Sequence, residues 1–262
     1  MELTIALVQM EIVDGEKESN LRHGLNILKE LTKTHEIPDI VCLPELFTTG
    51  YDLKNVKEYG ENIPGETIEK ISIISQNKFV VIGTILEKEN DKYYNTAFIL
   101  GKNGTLIGKY RKIHLFSPML EKEFLTPGDR IPTFKIPSLK DLTIGVAICY
   151  DIRFPEIFRT MALDGAQIIF VPSEFPSPKR KIWKTLLYSR AIENQYFVVG
   201  VNRVGQGKSD EFFGCSLVTN GYDFLEKLGA VQEIKLCKIN LDILSEIRKS
   251  LPLLNDRRTD LY

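Results

Sequence analysis

Short apolar runs alternate with longer amphipathic stretches along most of this chain. Runs rich in β-branched and aromatic residues predict β-strands. The predicted strands cover residues 3–9, 39–43, 79–86, 93–100, 104–112, 142–148, 166–171, 196–202 and 212–219. Apolar residues that recur every three or four positions predict helices instead. The predicted helices cover residues 19–34, 65–77, 155–164, 180–195 and 241–250. This alternation of strands and helices predicts an α/β fold.

Turn and capping residues fall between these elements. Ser19 is a candidate N-cap for the first helix. The sequence Lys102-Asn103-Gly104-Thr105 predicts a two-residue hairpin turn, because Asn-Gly accepts positive φ angles. Pro64-Gly65 and Pro127-Gly128-Asp129 mark further turns. Since no linker, repeat or low-complexity segment divides the chain, we expect residues 1–262 to form a single domain.

The composition is that of an ordinary globular protein. Of the 262 residues, 43% are hydrophobic and 26% are charged, and the formal net charge is −1. A charge so close to zero gives no general attraction for nucleic acid or for an anionic membrane. The first residues lack the basic segment of a signal peptide, and no apolar stretch approaches the ~18 residues that would span a bilayer. We therefore expect a cytoplasmic protein without a nucleic-acid or membrane partner.

The cysteines and histidines do not indicate a metal site. Cys42, Cys149, Cys215 and Cys237 form no CxxC pair, and none lies at zinc-ligand spacing from a histidine. Three of these four cysteines are expected to be small buried apolar residues, the usual environment of a free thiol. The chain has only three histidines, too few to favour a histidine-rich centre. We expect no metal ion and no cofactor.

Cys149 is the cysteine with a catalytic setting. It ends the apolar run 144–148, which is typical of a strand buried on both faces. Pro155 and Glu156 follow shortly afterwards and suit the first turn of a helix. A strand–turn–helix setting can place a nucleophile at a sheet edge, beside backbone N–H groups. A buried structural cysteine fits the same pattern, so Cys149 alone does not decide the function.

Two charged residues also follow apolar runs. Glu45 comes after the run 39–43, where a carboxylate is costly unless it is paired. Lys112 ends the predicted strand 104–112. Each could instead be a solvated surface residue. The chain contains neither a GxxxxGK[ST] phosphate loop nor a GxSxG nucleophile elbow, and the nearby His114 is expected to be structural.

The segments around these three residues, taken together, resemble the nitrilase superfamily of carbon–nitrogen hydrolases. The matching segments are Leu-Pro-Glu-Leu-Phe around Glu45, Tyr-Arg-Lys-Ile-His-Leu-Phe around Lys112 and Ile-Cys-Tyr-Asp-Ile-Arg-Phe-Pro-Glu around Cys149, in the order typical of the family. The resemblance covers nearly the whole chain. It implies a four-layer α-β-β-α sandwich. It also implies a homodimer or larger homo-oligomer whose outer layers pack together, with the C-terminal tail 251–262 contributing to the contacts.

The three residues suggest a mechanism for breaking an amide C–N bond without a metal. A free thiol with a pKa of about 8.5 is only a few per cent thiolate at neutral pH, so the Cys149 nucleophile needs a base. We assign that role to Glu45. Lys112 would stabilise the oxyanion together with the backbone N–H of Tyr150, a donor that the resemblance implies. The expected products are ammonia and a thioester that water then hydrolyses.

The resemblance implies a fourth catalytic residue. Glu121 falls where many members of the family place a second glutamate, and it would orient Lys112 or the substrate amide. Glu123 is close enough in sequence to be the alternative. A solvated surface glutamate is the third possibility at this position.

Several residues are candidate substrate contacts. Arg153 could bind a substrate carboxylate through a bidentate pair, or it could form an ion pair with a nearby acid. Tyr51, Tyr150 and Phe175 could line a small pocket, although each also fits core packing. The basic cluster within 179–183 otherwise fits a solvated helix face.

The segments 171–176 and 179–183 resemble the bacterial omega-amidase-like branch of the superfamily. Members of that branch hydrolyse ω-amides of small 2-oxo dicarboxylates such as 2-oxoglutaramate, so we expect a small carboxylate-bearing amide as substrate. An N-carbamoyl hydrolase or a nitrilase would use the same three residues with a different pocket. A non-catalytic interaction protein on this fold would not need all three residues, so their joint presence argues against it.

Overall fold

The structure is a computed structural model that describes residues 1–261. Its helices are α1 (Lys17–Leu31), α2 (Val56–Tyr59), α3 (Glu66–Ser75), α4 (Glu121–Phe124), α5 (Pro155–Leu163), α6 (Arg180–Asn194) and α7 (Asp242–Ser250). Its strands are β1 (Glu2–Gln9), β2 (Ile40–Cys42), β3 (Val80–Glu89), β4 (Lys92–Leu100), β5 (Leu106–Arg111), β6 (Thr133–Ile136), β7 (Leu142–Val146), β8 (Ile168–Ser173), β9 (Phe197–Asn202), β10 (Val204–Gln206), β11 (Glu211–Phe213), β12 (Leu217–Thr219), β13 (Phe224–Lys227) and β14 (Glu233–Asn240). Short 3₁₀-helices lie at Leu53–Asn55, Ser117–Met119, Pro137–Leu139 and Cys149–Arg153.

Two six-stranded sheets form the centre of the fold. Their strand orders are β14-β1-β2-β3-β4-β5 and β13-β12-β9-β8-β7-β6. In the first sheet β1, β2 and β3 are parallel, and in the second β7, β8 and β9 are parallel. The outer strands of both sheets pair antiparallel. Parallel strands need both faces covered, which explains why every residue of β2 and β8 is buried.

Alternate residues of the central strands face different layers. Ile5 of β1 belongs to the large core cluster that also contains Phe170 of β8, so the two sheets pack on each other. Val8, on the opposite face of β1, packs in a second cluster with Leu28 of α1. Trp183 of α6 joins the first cluster from the far side of the second sheet. The layers therefore run from α1 and α3 through the two sheets to α5 and α6, and the predicted four-layer α-β-β-α sandwich is confirmed.

Four strands are missed by the apolar pattern, namely β6, β10, β13 and β14. The longest of them, β14, pairs along its whole length with β1, yet its exposed positions carry charged residues such as Lys235 and Lys238. The single predicted strand 212–219 is wrong. Gly214 and Cys215 have positive φ angles of 61° and 57°, and they divide this segment into β11 and β12.

The predicted N-cap at Ser19 is also wrong. Helix α1 begins at Lys17, so Ser19 lies inside its first turn. The start of the helix is fixed instead by Asn20. Its side-chain amide donates to the carbonyl of Val13 at 2.7 Å and accepts from the N–H of Val13 at 2.9 Å.

The hairpin between β4 and β5 is longer than the predicted two-residue turn. Gly101 N donates to the carbonyl of Thr105 at 2.9 Å, which closes a loop of three intervening residues. In that loop only Gly104 has a positive φ angle, of 78°. Asn103 instead uses its side-chain oxygen to accept from the backbone N–H of Thr105 at 3.2 Å.

The C-terminal part of the chain leaves α7 and continues without a helix or strand through residues 251–261. Tyr262, the last residue of the predicted dimer-contact tail, lies outside the described residues. The role of this tail in dimer contacts stays a prediction. Across residues 1–261, no helix is both long and apolar enough to cross a membrane.

Candidate active site

Three of the predicted site residues follow the ends of strands. Glu45 comes shortly after β2, Lys112 directly follows β5, and Cys149 comes shortly after β7. Ligands of α/β proteins commonly bind outside the carboxyl ends of the strands. The backbone near Glu45 is fixed by the neighbouring strand, since Leu46 N donates to Thr84 Oγ1 at 2.6 Å.

Lys112 lies between two buried carboxylates. Its Nζ is 2.8 Å from Glu45 Oε1 and 2.8 Å from Glu121 Oε1. All three side chains are fully buried. Burial of a charge is tolerated when the charge is paired and hydrogen-bonded, and both carboxylates meet that condition here. Glu121 is therefore the second glutamate that the structure brings to Lys112, whereas the alternative, Glu123, is exposed.

Two neutral side chains complete the contacts of these carboxylates. The Tyr51 hydroxyl lies 2.7 Å from Glu45 Oε1 and 2.9 Å from Glu121 Oε1. Asn95 Nδ2 donates to Glu45 Oε1 at 2.7 Å. The second oxygen of Glu45, Oε2, accepts from the backbone N–H of Glu174 at 2.7 Å. Both oxygens of Glu45 are thus held by donors from separate segments of the chain.

Burial and neighbouring charges shift the pKa values of three groups at this site, Lys112, Glu121 and Cys149. Burial alone would lower the pKa of Lys112, but the Glu121 and Glu45 carboxylates outweigh it and raise that pKa. Burial raises the pKa of Glu121, against the opposing effect of Lys112. Burial and the charge of Glu45 together raise the pKa of Cys149 well above that of a free thiol. Cys149 therefore needs a base to remove its proton at the moment of attack.

The backbone at Cys149 is a tight, strained turn. Cys149 has a φ of 43°, in the left-handed region that a residue with a Cβ rarely occupies. The buried Asp151 holds this turn: its Oδ2 accepts from Ile148 N at 2.9 Å and from the Tyr110 hydroxyl at 2.7 Å. Its Oδ1 accepts from His114 N at 3.0 Å, and His114 Nδ1 lies 2.8 Å from the same oxygen. His114 thus has the structural setting expected for it.

Cys149 lines a pocket together with four aromatic residues. The lining consists of Tyr51, Phe116, Met119, Cys149, Tyr150, Arg153, Glu174, Phe175, Pro176 and Lys179. All four predicted substrate contacts belong to this lining, and Tyr51 also touches the carboxylate cluster.

Two cations in this pocket have no acidic partner. The Arg153 guanidinium lies 6.0 Å from the ring centre of Tyr150 and 5.7 Å from that of Phe175. Among residues 1–261, no carboxylate forms an ion pair with it, and both of its predicted roles stay predictions. Lys179 Nζ lies 5.5 Å from the ring centre of Phe116 and likewise has no carboxylate partner in the described chain. Either cation could therefore pair with an anionic group of a bound molecule.

Three residues of this site were not predicted from the sequence. Asn95 lies in the middle of β4, where a polar residue in an otherwise apolar strand was the available signal. Glu174 directly follows the buried strand β8, which is the same signal that singled out Glu45. Lys179 belongs to the basic cluster that was assigned to a solvated helix face, and nothing in the sequence separates it from its basic neighbours.

The described chain shows neither disulfides nor a metal-binding group of side chains. Its four cysteines are buried free thiols. Among residues 1–261, no three His, Cys, Asp or Glu side chains are grouped as a metal ion would require.

Lys112→Met is expected to destabilise the fold, because it leaves the Glu45 and Glu121 carboxylates buried without a counter-ion. We expect the free energy of unfolding to fall by about 3 kcal/mol at neutral pH. Without Lys112, burial raises the pKa of the Glu121 carboxyl group further above its unfolded value, so the folded variant binds more protons than the unfolded chain and loses stability as the pH rises above about 4.

Urea unfolding at about pH 5 and about pH 8 checks this prediction, since the difference from wild type should be larger at the higher pH. Lys29→Met, at an exposed and unpaired lysine of α1, is the matched control and should change little at either pH. A difference that stays constant with pH would contradict the assigned pairing of Lys112.

Comparison with known proteins agrees with this fold and group of residues. Residues 4–226 match the model of the carbon-nitrogen hydrolase family. The chain is 35% identical over 266 residues to the 2-oxoglutaramate amidase of Bacillus subtilis (strain 168), covering 100% of both chains. It is 34% identical over 272 residues to the omega-amidase NIT2 of Homo sapiens, covering 98% of this chain and 96% of that one. The crystal structure of Saccharomyces cerevisiae Nit3, a member of branch 10 of the nitrilase superfamily, superposes with a TM-score of 0.89 at 30% identity, covering 98% of this chain and 97% of that one.

The four-layer fold and these similarities define a hydrolase of the nitrilase superfamily, as the sequence motifs predict. Within that superfamily, the chain belongs to the carbon-nitrogen hydrolase family. It is therefore an enzyme, and the alternative of a non-catalytic interaction protein is wrong.

Proposed function

We propose that this enzyme hydrolyses the ω-amide of a small 2-oxo acid, such as 2-oxoglutaramate, to the corresponding dicarboxylate and ammonia. The observation that carries the proposal is the unpaired guanidinium of Arg153 in the same pocket as Cys149. A guanidinium binds a carboxylate through two parallel hydrogen bonds, and it is well suited to anchor the end of the substrate remote from the amide. Lys179 supplies a second unpaired cation to the same pocket. The names of the amidase relatives support the same substrate class.

In the acylation half of the reaction, Glu45 removes the proton of Cys149 and the sulfur attacks the amide carbon. The oxyanion forms near Lys112, whose three N–H bonds point to Glu45, Glu121 and the Tyr51 hydroxyl. The contact with Tyr51 is the longest, at 3.1 Å, and is the one that the oxyanion can displace most easily. The backbone N–H of Tyr150 is the second donor. Each such donor contributes roughly 10²–10³-fold to the rate.

Glu45 then passes its proton to the departing nitrogen, because an amide nitrogen leaves poorly unless it is protonated. The C–N bond breaks, ammonia is released and the acyl group stays on Cys149 as a thioester. Glu45 next takes a proton from water, and the hydroxide attacks the thioester carbon. The C–S bond then breaks, the acid is released, and Glu45 returns the proton to the sulfur of Cys149. Glu121 positions Lys112 throughout this cycle, since the two side chains are in direct contact.

The same proposal covers the organisation of the protein. Residues 1–262 act as one catalytic domain, which is supported by the packing of the two sheets on one another. The domain works as a homodimer or larger homo-oligomer joined through its outer layers, and it acts in the cytoplasm without a nucleic-acid partner. Size-exclusion chromatography with light scattering tests the oligomeric state.

The effect of Arg153→Met on two substrates tests the proposed substrate class. Methionine keeps the length of the side chain and removes its charge. We expect kcat/KM for 2-oxoglutaramate to fall about 10–100-fold, the cost of losing charged hydrogen bonds. Butyramide has no carboxylate for Arg153 to bind, so its much slower hydrolysis should change less than about threefold.

Arg22→Met, at an exposed arginine of α1, is the matched control for this experiment. Equal losses for both substrates would show that Arg153 supports the pocket and does not bind a carboxylate. Ammonia release by the wild type from an N-carbamoyl amino acid or a nitrile, but not from 2-oxoglutaramate, would replace the proposed substrate with one of those two classes.

A further inference from the structure

Glu174 is a third buried carboxyl group beside the nucleophile, and one of its oxygens lacks a partner. Its Oε2 accepts from Arg203 Nη1 at 2.8 Å. Arg203 is fixed in turn by Asp14, whose Oδ1 lies 2.9 Å from the same Nη1. The other carboxyl oxygen, Oε1, is fully buried and has no hydrogen-bond partner within residues 1–261. A buried oxygen left without a donor destabilises the fold, so it needs an explanation.

The position of Glu174 supplies that explanation. Glu174 is one of the residues that line the same pocket as Cys149 and Phe175. Its backbone N–H donates to Glu45 Oε2 at 2.7 Å, so Glu174 adjoins the group assigned as the base. No side chain of the pocket offers Oε1 a donor, and a molecule bound in the pocket can offer one.

The chemistry of the proposed substrate limits which of its groups could donate a hydrogen bond to Oε1 of Glu174. A 2-oxo acid ω-amide carries N–H groups only on its amide nitrogen, and its other polar atoms are acceptors at neutral pH. Arg203 requires an acceptor at Oε2, which leaves Oε1 as the free side of the carboxyl group. Burial raises the pKa of Glu174 to about 8, against the opposing effect of Arg203. An N–H donor at Oε1 favours the ionised carboxylate and so removes part of the cost of that burial.

We propose that Oε1 of Glu174 accepts a hydrogen bond from the N–H of the substrate amide and thereby selects an amide over the corresponding ester. The inference rests on the proposed function, because it takes the substrate to be an amide. The contact holds the leaving nitrogen on the side of the pocket where Glu45 delivers its proton. Glu174 is thus a specificity-determining residue in addition to Glu45, Lys112, Glu121 and Cys149.

Glu174→Gln is a sharp test because Arg203 fixes the orientation of the glutamine. Arg203 donates, so the glutamine turns its oxygen towards Arg203 and its NH₂ towards the pocket. The acceptor at the position of Oε1 thereby becomes a donor, with almost no change in volume. The backbone N–H that binds Glu45 is retained.

Binding is measured by calorimetry in the Cys149→Ala background, where no chemistry occurs and the proton transfers of Glu45 play no part. The two ligands are 2-oxoglutaramate and the 5-methyl ester of 2-oxoglutarate, which differ only in the group on the terminal carbonyl, NH₂ in the amide and OCH₃ in the ester. We expect Glu174→Gln to raise the Kd of the amide about tenfold or more and to change the Kd of the ester less than about twofold. Glu123→Gln, at an exposed glutamate of α4, is the matched control and should change neither.

Equal weakening of both ligands would overturn the inference, because it would indicate a structural role through Arg203. An unchanged Kd for the amide, or no binding of the amide to Cys149→Ala protein, would also overturn it. Turnover by the wild type is a separate measurement: absence of ammonia release from 2-oxoglutaramate would refute the proposed function, whatever the binding results show.

Discussion

Cys149→Ala is expected to lower the release of ammonia from 2-oxoglutaramate by at least about 10⁴-fold, because the covalent route needs the sulfur. Lys112, Glu121 and Glu45 keep their mutual contacts in this variant, so the pocket should still bind the substrate. Alanine at position 149 leaves the strained φ of 43° in place, and near-UV circular dichroism will show whether the turn is retained. Ammonia release and the mass of the intact protein during turnover are the two measurements.

The wild type should show an added acyl mass during turnover and the variant should not. Cys237→Ala is the matched control, since Cys237 is another buried thiol but lies on β14, the edge strand of the first sheet. It should retain both activity and adduct. Comparable rates for Cys149→Ala and the wild type would refute the thioester mechanism as a whole.

Glu45→Gln is expected to lower kcat/KM for the amide by about 10³-fold, within the range for loss of a general acid–base group. A glutamine cannot take the proton of Cys149, nor can it supply the proton that the departing nitrogen needs. It also fits the site poorly. Glu45 accepts from Tyr51, Asn95 and Lys112 at Oε1, and from a backbone N–H at Oε2, so an NH₂ group at either position faces a donor.

Rapid-mixing kinetics separate the two steps that Glu45 serves. Both the formation and the hydrolysis of the thioester should be slow in Glu45→Gln. The leaving group of a p-nitrophenyl ester needs no proton, so the rate of acylation of Cys149 by such an ester should fall less than the rate with the amide. Thermal unfolding of Glu45→Gln reports any loss of stability from the misplaced NH₂. Glu123→Gln is again the matched control. An amide burst of wild-type rate and amplitude would rule out Glu45 as the base.

The central part of the fold and three of the site residues could be predicted because they follow from local patterns. Glu45 and Cys149 each come just after a short strand that is buried on both faces, and such strands are visible as apolar runs. A charged side chain at the end of such a run is costly to bury unless it is paired, so these positions stand out as candidates. The order and flanks of Glu45, Lys112 and Cys149 then indicated the family, which the comparisons confirm.

The parts that the sequence did not predict depend on contacts between distant segments. Strand β14 is stabilised by pairing with β1, more than 220 residues earlier in the chain, and its own residues alternate too weakly to indicate this. Glu174 follows a buried strand as Glu45 does, but its place in the pocket depends on Arg203 and Asp14 meeting it in space. Lys179 lies directly before α6 and lines the pocket, whereas its basic neighbours Arg180 and Lys181 do not.

The enclosed thiol of Cys149 also affects how the enzyme withstands oxidants. Peroxides and alkylating reagents attack exposed thiolates, and a low pKa is what makes most catalytic cysteines vulnerable to them. Cys149 has the opposite character, since its burial and the adjacent charge of Glu45 raise the pKa of its thiol. A raised pKa lowers the fraction of Cys149 that is present as thiolate between catalytic cycles, and the thiolate is the form that oxidants attack.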